Sequence, residues 1–244
     1  MTGAAVVIPA YNEFATIRDV VQRALAQLPM VIVVDDGSTD ATAAALDGLP
    51  VILLINAANR GKADSLRRGA DEAVRNGAVA IVTLDGDGQH CPEDIPLLLE
   101  AWQTAPSRIV IGSRLHARKT IPLARYCANR FANFWISWAA GQSIEDTQSG
   151  FRVYPAGLFA RAQVHYGAAA SFVFESEILI EAAQCGLEIV CEPIKAIYSA
   201  RARASHFRPI VDIARIVRMV AWRLITRGLY LRGLVQSLKS RGNT

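Results

Sequence analysis

Over the first 113 residues, short apolar runs rich in β-branched side chains alternate with stretches whose apolar positions recur at helical spacing. Val6-Val7-Ile8 precedes a helical pattern from Ile17 to Leu28, and Val31 to Val34 precedes a stretch that Ser38 or Thr39 is placed to cap as a helix. Val51 to Ile55 precedes the helical Lys62 to Arg75, Ala78 to Leu84 precedes Glu93 to Trp102, and Ile109-Val110-Ile111 closes the series. Strands that are apolar throughout, rather than at every second position, are buried on both faces. The pattern therefore predicts an α/β fold: a parallel sheet with helices on both faces.

The second half is more helical. Leu123 to Ala139 carries Tyr126, Phe131, Phe134, Trp135 and Trp138 at spacings that suit a buried or lipid-facing helix. A helix from Glu175 to Cys185, an extended Ile189 to Ile197 and a long helix from about Pro209 to Leu238 follow. In that last helix Ile213, Val217, Val220, Leu224, Leu231 and Val235 form one apolar stripe, with Arg215, Arg218, Arg223, Arg227 and Arg232 mostly away from its centre. No repeat or linker interrupts the chain. Residues 1–208 read as one catalytic domain and 209–244 as a basic amphipathic helical extension.

Composition sharpens this picture. The chain has 244 residues, 52% hydrophobic and 20% charged, and a mean hydropathy of +0.22. No apolar run reaches the about 18 residues of a membrane span, and Met1 to Pro9 lacks the basic region of a signal peptide. Cys91, Cys127, Cys185 and Cys191 are too scattered for a zinc site or a disulfide framework, and read as buried, reduced thiols of a cytosolic protein. The net charge of +4 is unevenly spread: from Arg201 onward ten Lys/Arg face one acid, whereas the rest of the chain is acidic overall. Such a tail suits an anionic partner. Arginines interleaved with aliphatics fit a helix lying in a membrane interface, or one packed on its own domain or in a homo-oligomer, better than nucleic acid.

In a parallel sheet, ligands bind beyond the carboxyl ends of the strands. Those ends deliver Pro9-Ala10-Tyr11-Asn12-Glu13, Asp35-Asp36-Gly37-Ser38-Thr39-Asp40 and Asp85-Gly86-Asp87-Gly88-Gln89, so acids gather on one edge. Two carboxylates two residues apart on a glycine turn suit Mg²⁺ or Mn²⁺ carrying a diphosphate. An EF-hand is excluded, because its glycine position falls on His90 and its terminal glutamate on Pro96. An acidic turn without metal remains open at this point. Adjacent carboxylates Asp35 and Asp36 fit hydrogen bonds to a base or ribose. Asn59-Arg60-Gly61-Lys62 opens a helix that could hold an anion, but lacks Walker spacing.

Five segments then occur in order: Val7 to Glu13, Val33 to Asp40, Asp85 to His90, Gly112-Ser113-Arg114 and Ser149-Gly150-Phe151-Arg152. Together they resemble the family 2 inverting glycosyltransferases, and within them the polyprenyl-phosphate (dolichol-phosphate) mannosyl- and glucosyltransferases, over roughly residues 4 to 208. The resemblance implies a GT-A nucleotide-diphospho-sugar transferase sheet. It also implies that Pro9, Tyr11 and Glu13 line the nucleotide pocket and that Val34 and Asp36 contact base and ribose. Asp85, Asp87 and Gln89 would hold the metal, with Gly86 against the donor. Arg114, assisted by Arg125, would neutralise donor or acceptor phosphate. The family's basic acceptor-phosphate motif departs here to Arg201-Ala202-Arg203-Ala204-Ser205-His206, where His206 replaces a lysine and Ser205 is kept.

The implied reaction moves a hexose from a nucleotide-sugar donor to a lipid-linked acceptor, polyprenyl phosphate first, with inversion, at the cytoplasmic face of a membrane. A phosphate acceptor is already ionised, whereas a hydroxyl acceptor needs a base. Asp146 is the candidate, its alternative being to position Arg152 or a loop amide. A nucleotidyltransferase would carry a glycine-rich loop after the first strand, and Pro9-Ala10-Tyr11-Asn12 is not one. In a non-catalytic binding module the carboxylates at 85 and 87 would be dispensable.

Overall fold

The computed structural model describes residues 3–115, 123–162, 171–195 and 209–239. Seven strands form one sheet: β1 (Ala4–Ala10), β2 (Val31–Asp35), β3 (Ile52–Ile55), β4 (Ala80–Thr83), β5 (Ile109–Ser113), β6 (Arg152–Pro155) and β7 (Ile189–Pro193), in the order β3-β2-β1-β4-β6-β5-β7. Around it lie α1 (Ile17–Leu25), α2 (Lys62–Arg75), α3 (Ile95–Gln103), α4 (Leu123–Ala140), α5 (Leu158–Arg161), α6 (Ser171–Gln184), α7 (Pro209–Thr226) and α8 (Leu231–Lys239).

The sheet separates two cores because successive strand residues point to opposite faces. Val6, Ile8, Val31 and Val33 meet Ile17 and Val20 of α1 and Ile95 and Leu98 of α3. Val7, Ile32 and Val34 face Ala63, Leu66 and Ala70 of α2, in a cluster that extends to Ile136 of α4 and Phe174 and Ile178 of α6. Helices on both faces are thus as the hydrophobic pattern predicts. In parallel register Ala10 pairs with Asp35 and Asp35 with Ile55, which levels the strand ends into a shared edge.

Several sequence expectations are corrected. The sheet is not wholly parallel: β6 runs antiparallel between β4 and β5, setting Arg152 opposite both Thr83 and Ile111. It has four residues, begins with a buried charge and ends in proline, so it carries none of the apolar signature of its neighbours. No helix starts near Ser38; only a short 3₁₀ turn, Ala44–Leu46, forms there. The Ser38 hydroxyl, instead of capping, donates to Asp35 Oδ1 at 2.5 Å.

The C-terminal helix is not continuous. It breaks at Gly228–Tyr230, where Gly228, Leu229 and Tyr230 all have positive φ, and α8 departs in a new direction. The single apolar stripe therefore splits: Val220 and Leu224 are buried, whereas Val217, Leu231 and Val235 are exposed. Arg223 of α7 ties this segment to α6 through Glu177 Oε1 at 2.8 Å and through Glu181. Trp138 of α4 donates from Nε1 to the carbonyls of Leu229 at 3.0 Å and Tyr230. All four cysteines are free thiols, but none is fully buried, and Cys127 and Cys185 are exposed. No helix among the described residues is long and apolar enough to cross a membrane.

Candidate active site

Three loops leave the carboxyl edge of the sheet and are stitched to one another. Asn12 adopts a left-handed φ of 57°, a conformation that asparagine tolerates better than most residues. Its Oδ1 accepts from the Thr39 amide at 2.7 Å, and its own amide donates to Ser38 Oγ at 2.9 Å. The Glu13 amide donates to Thr42 Oγ1, and Thr16 Oγ1 donates to the Gly86 carbonyl at 2.7 Å. Gly37 (φ 71°) must be glycine, since a Cβ there would lie 2.7 Å from the Ala58 carbonyl carbon. A cleft of about 350 Å³ opens between these loops, lined by Asn12, Glu13, Phe14, Thr39, Asp40 and Asp87. A larger cleft, about 470 Å³, lies at the opposite edge of the sheet between the end of α2 and α5, away from every residue of this constellation. The smaller one adjoins the chemistry.

Asp36 is buried and fully engaged. It accepts from Asn56 Nδ2 at 2.7 Å and from the amides of Arg60 at 2.9 Å and Gly61 at 2.8 Å. It thereby holds the loop that starts α2. Val34 is wholly buried under α2, which corrects the expectation for its side chain: any contact with a base would have to come from its main chain. Pro9, Tyr11 and Glu13 are partly exposed on the same edge. At Gly86 the place of a side chain is crowded by Ile17 Cδ1 at 3.1 Å and by Glu13 and Pro9, so packing within the protein already accounts for this glycine.

The centre of the site is an ion-pair chain. Lys62 Nζ, on the first residue of α2, lies 2.6 Å from Asp85 Oδ1 and also bonds Glu175 of α6. Gly150 closes over this pair; a Cβ there would come within 2.8 Å of Asp85 Oδ2 and 3.0 Å of Lys62 Nζ. Burial pushes the Asp85 carboxyl up, but the charges of Lys62, His90 and Arg114 outweigh it and lower its pKa to about 2. Burial lowers the Lys62 ammonium, but Asp85 and Glu175 together hold it above its ordinary value. Asp87 is shifted the other way, upward, by burial and then by the negative charge of Asp85. Its Oδ1 accepts the Gln89 amide at 2.9 Å. His90 is enclosed, its Nδ1 4.0 Å from Asp85 Oδ2 and its ring 5.4 Å from that of Phe151. Both ring nitrogens lack a hydrogen-bond partner among the described residues, and burial depresses its pKa to about 3.

This donor set fits a hard divalent cation. Asp87 is a carboxylate made uncomfortable by its neighbour, and added positive charge relieves that repulsion. Among the described residues no three His, Cys, Asp or Glu side chains converge as a closed metal cage. An open site of one or two carboxylates, completed by water and substrate phosphates, is what Mg²⁺ and Mn²⁺ ordinarily occupy.

Arg114, just past β5, contributes to the field on Asp85, Asp87 and His90. Its amide donates to Asp146 Oδ2 at 3.1 Å, and the Gln148 amide to Asp146 Oδ1 at 3.3 Å. Asp146 is buried, so the role on view is that of a carboxylate positioning loop amides. Arg125 falls in the first turn of α4, and Arg201, Arg203, Ser205 and His206 lie outside the described residues.

Two residues escaped the sequence reading. Glu175 was visible only as a helix start, although an acid in so apolar a helix as Ser171–Gln184 is itself a signal of a buried partner. Arg152, read as part of a motif, is a fully buried knot. Its guanidinium donates to the carbonyls of Ser149 (2.7 Å), Thr147 (2.9 Å) and Glu175 (2.8 Å) and to the Tyr154 hydroxyl (3.0 Å).

Glycosyl transferase family 2 matches residues 5–162. Polyprenol monophosphomannose synthase of Mycolicibacterium smegmatis is 30% identical, over 78% of this chain and 75% of that protein. Undecaprenyl-phosphate mannosyltransferase of Micrococcus luteus is 28% identical, over 93% of this chain and 96% of that protein. Glucosyl-3-phosphoglycerate synthase from Mycobacterium tuberculosis, crystallised with Mn²⁺, uridine diphosphate and glucosyl-3-phosphoglycerate, shares the GT-A fold at a TM-score of 0.60 and 21% identity, over 92% of this chain and 79% of that one. The match spans every strand-end motif from Pro9 to Arg152, and the chain belongs to glycosyl transferase family 2.

Proposed function

We propose that this enzyme transfers a hexose from a nucleoside-diphosphate sugar to polyprenyl phosphate, with inversion, at the cytoplasmic face of a membrane. The observation that carries this reading is the pairing of Asp85 and Asp87 at the carboxyl edge of the sheet with Lys62 and Arg114 beside them. Fixed positive charge beside a carboxylate that is short of it suits a diphosphate that arrives with a divalent counter-ion.

The sugar leaves when the bond between its anomeric carbon and a phosphate oxygen breaks, and negative charge accumulates on the departing diphosphate. A bound divalent cation, Mg²⁺ or Mn²⁺, supplies Lewis-acid neutralisation of that charge. Asp85, Asp87 and Gln89 would hold it. Arg114 and Lys62 add fixed positive charge, which is worth most where water is excluded. Pro9, Tyr11, Glu13, Asp36 and the main chain at Val34 frame the nucleoside. Arg125, Arg201, Arg203, Ser205 and His206 receive the acceptor phosphate.

An ionised phosphate acceptor needs no base. That agrees with Asp146, whose two oxygens are committed to backbone amides. Transfer to a hydroxyl of a lipid, glycan or small molecule would require freeing that carboxylate, and is the second reading. Residues 1–208 make up the catalytic domain and 209–244 a basic helical extension to it.

The decisive assay incubates the purified protein and Mn²⁺ with radiolabelled sugar nucleotides, with and without polyprenyl phosphate. Label extracted into organic solvent only when the lipid phosphate is present is the expected result. Label passing instead to hydroxyl acceptors would select the second reading, and no transfer from any sugar nucleotide would end both.

A further inference from the structure

α8 is packed inside out. A helix on a protein surface normally turns its apolar side to the core, yet α8 buries Gly233 and Ser237 and turns Leu231, Val235 and Leu238 outward. Gly233 lies against the Trp138 carbonyl oxygen of α4 and the Tyr230 ring, where no larger side chain fits. The small face is therefore the one designed to dock, and the large apolar face is left over.

α7 continues that surface. Its inner side buries Ile216, Val220 and Leu224, whereas Val217, Trp222 and Ile225 project outward, with Trp222 67% and Ile225 65% exposed. The kink at Gly228–Tyr230 presents Leu229, itself 52% exposed, between the two helices. So many large apolar groups on adjoining helices mark an interaction site.

The charges around this surface select its occupant. Arg218, Arg227 and Arg232 are exposed among these residues, and from Ile213 to Thr244 the sequence contains no Asp or Glu. A second copy docked face to face would bring arginines against arginines with no acid to offset them. An anionic lipid surface supplies the missing counter-charges while its acyl boundary takes up the tryptophan and aliphatics.

We infer that the outward face of α7 and α8, centred on Trp222, Ile225, Leu231 and Val235, docks onto an anionic phospholipid bilayer. This deepens the proposed function, since it names the surface that meets the membrane, and it rests on that reading only for its purpose. The binding itself is tested separately.

The test sediments the full chain with phosphatidylcholine vesicles with or without phosphatidylglycerol. The unmodified protein is expected to pellet with the anionic vesicles, less so at high salt, and not with phosphatidylcholine alone. Leu231→Glu combined with Val235→Glu should weaken that binding by about tenfold or more. These positions are exposed, so the circular-dichroism melt should be unchanged; Arg218→Glu with Arg232→Glu gives a second variant that acts through charge alone. Binding that survives both pairs of substitutions, or no binding to either vesicle, overturns the inference. So does a dimer that the Leu231→Glu, Val235→Glu pair dissociates, because the occupant is then a second copy. Transfer to a short-chain polyprenyl phosphate in detergent, where no bilayer is needed, should be equal in all these proteins. A failure there in the unmodified protein counts against the transferase reading and not against the surface.

Discussion

Lys62 Nζ lies 2.6 Å from Asp85 Oδ1, so the first carboxylate of the candidate metal pair already carries a positive neighbour from the start of α2. Glu175 shares the same ammonium from the other side. The arrangement keeps Asp85 ionised while leaving Asp87 short of positive charge.

Lys62→Ala should leave two carboxylates facing each other across a largely enclosed space. A loss of about 2–4 kcal/mol is expected, from the rule that removing one partner of a buried pair strands the other. Mn²⁺ should restore more stability to this variant than it adds to the unmodified protein, because it replaces the lost charge. Urea midpoints with and without Mn²⁺ measure both; equal metal effects would contradict the electrostatic account.

Asp87→Ala should lower turnover by about a thousandfold or more by removing a metal ligand. Stability should stay the same or rise slightly, since an unfavourable like-charge interaction disappears with it. Calorimetry should show that Mn²⁺ binding is lost. Unchanged turnover would remove the metal from the reaction.

His90 gives the fold a specific acid sensitivity. Its folded pKa is lowered from 6.5 to about 3, by burial first. On unfolding the imidazole recovers its ordinary pKa and takes up a proton that the folded state refuses, so stability falls as pH drops below about 6.5. Between there and about pH 5 the loss should amount to about 2 kcal/mol from this group alone. Asp85, lowered from 3.8 to about 2, acts further down: its contribution is present above about 3.8 and is lost as pH falls through 2. His90→Leu should flatten the upper part of the profile. Urea unfolding of both proteins at the two pH values decides it.

Arg152→Met should cost about 3–5 kcal/mol, because the carbonyls of Thr147, Ser149 and Glu175 lose the one group that ties them together. Release of the Thr147 and Ser149 carbonyls should also loosen Gly150 against the Lys62–Asp85 pair. Retention of full stability by this variant would show that those carbonyls find other donors.

Removing everything after Pro209 is a poor way to test the role of the tail. Arg223 neutralises Glu177 and Glu181 on α6, both of low exposure, and a truncation exposes that pair to each other. Arg223→Met alone should destabilise by about 2–4 kcal/mol, and Glu177→Gln combined with it should recover part of the loss. The thermal melts of the two variants test this.

The sequence determined the apolar strands of the first half and the edge on which they deliver their acids. Apolar runs such as Val31 to Val34 specify buried strands locally, and the acids that follow them must then gather where parallel strands end. It also held the order of motifs from Pro9 to Arg152, from which Asp85 and Asp87 stand out as the candidate metal pair. Pairing across the chain was decided only by tertiary structure. Lys62, Glu175 and Asp85 come from three distant segments, and nothing in their local patterns tells one which charge each will meet. The antiparallel β6 is held by its neighbours and not by its own four residues. The same holds for α8, whose periodicity marks an apolar face but not its direction: the small residue Gly233 docks against Trp138, and that close approach leaves Leu231 and Leu238 outward.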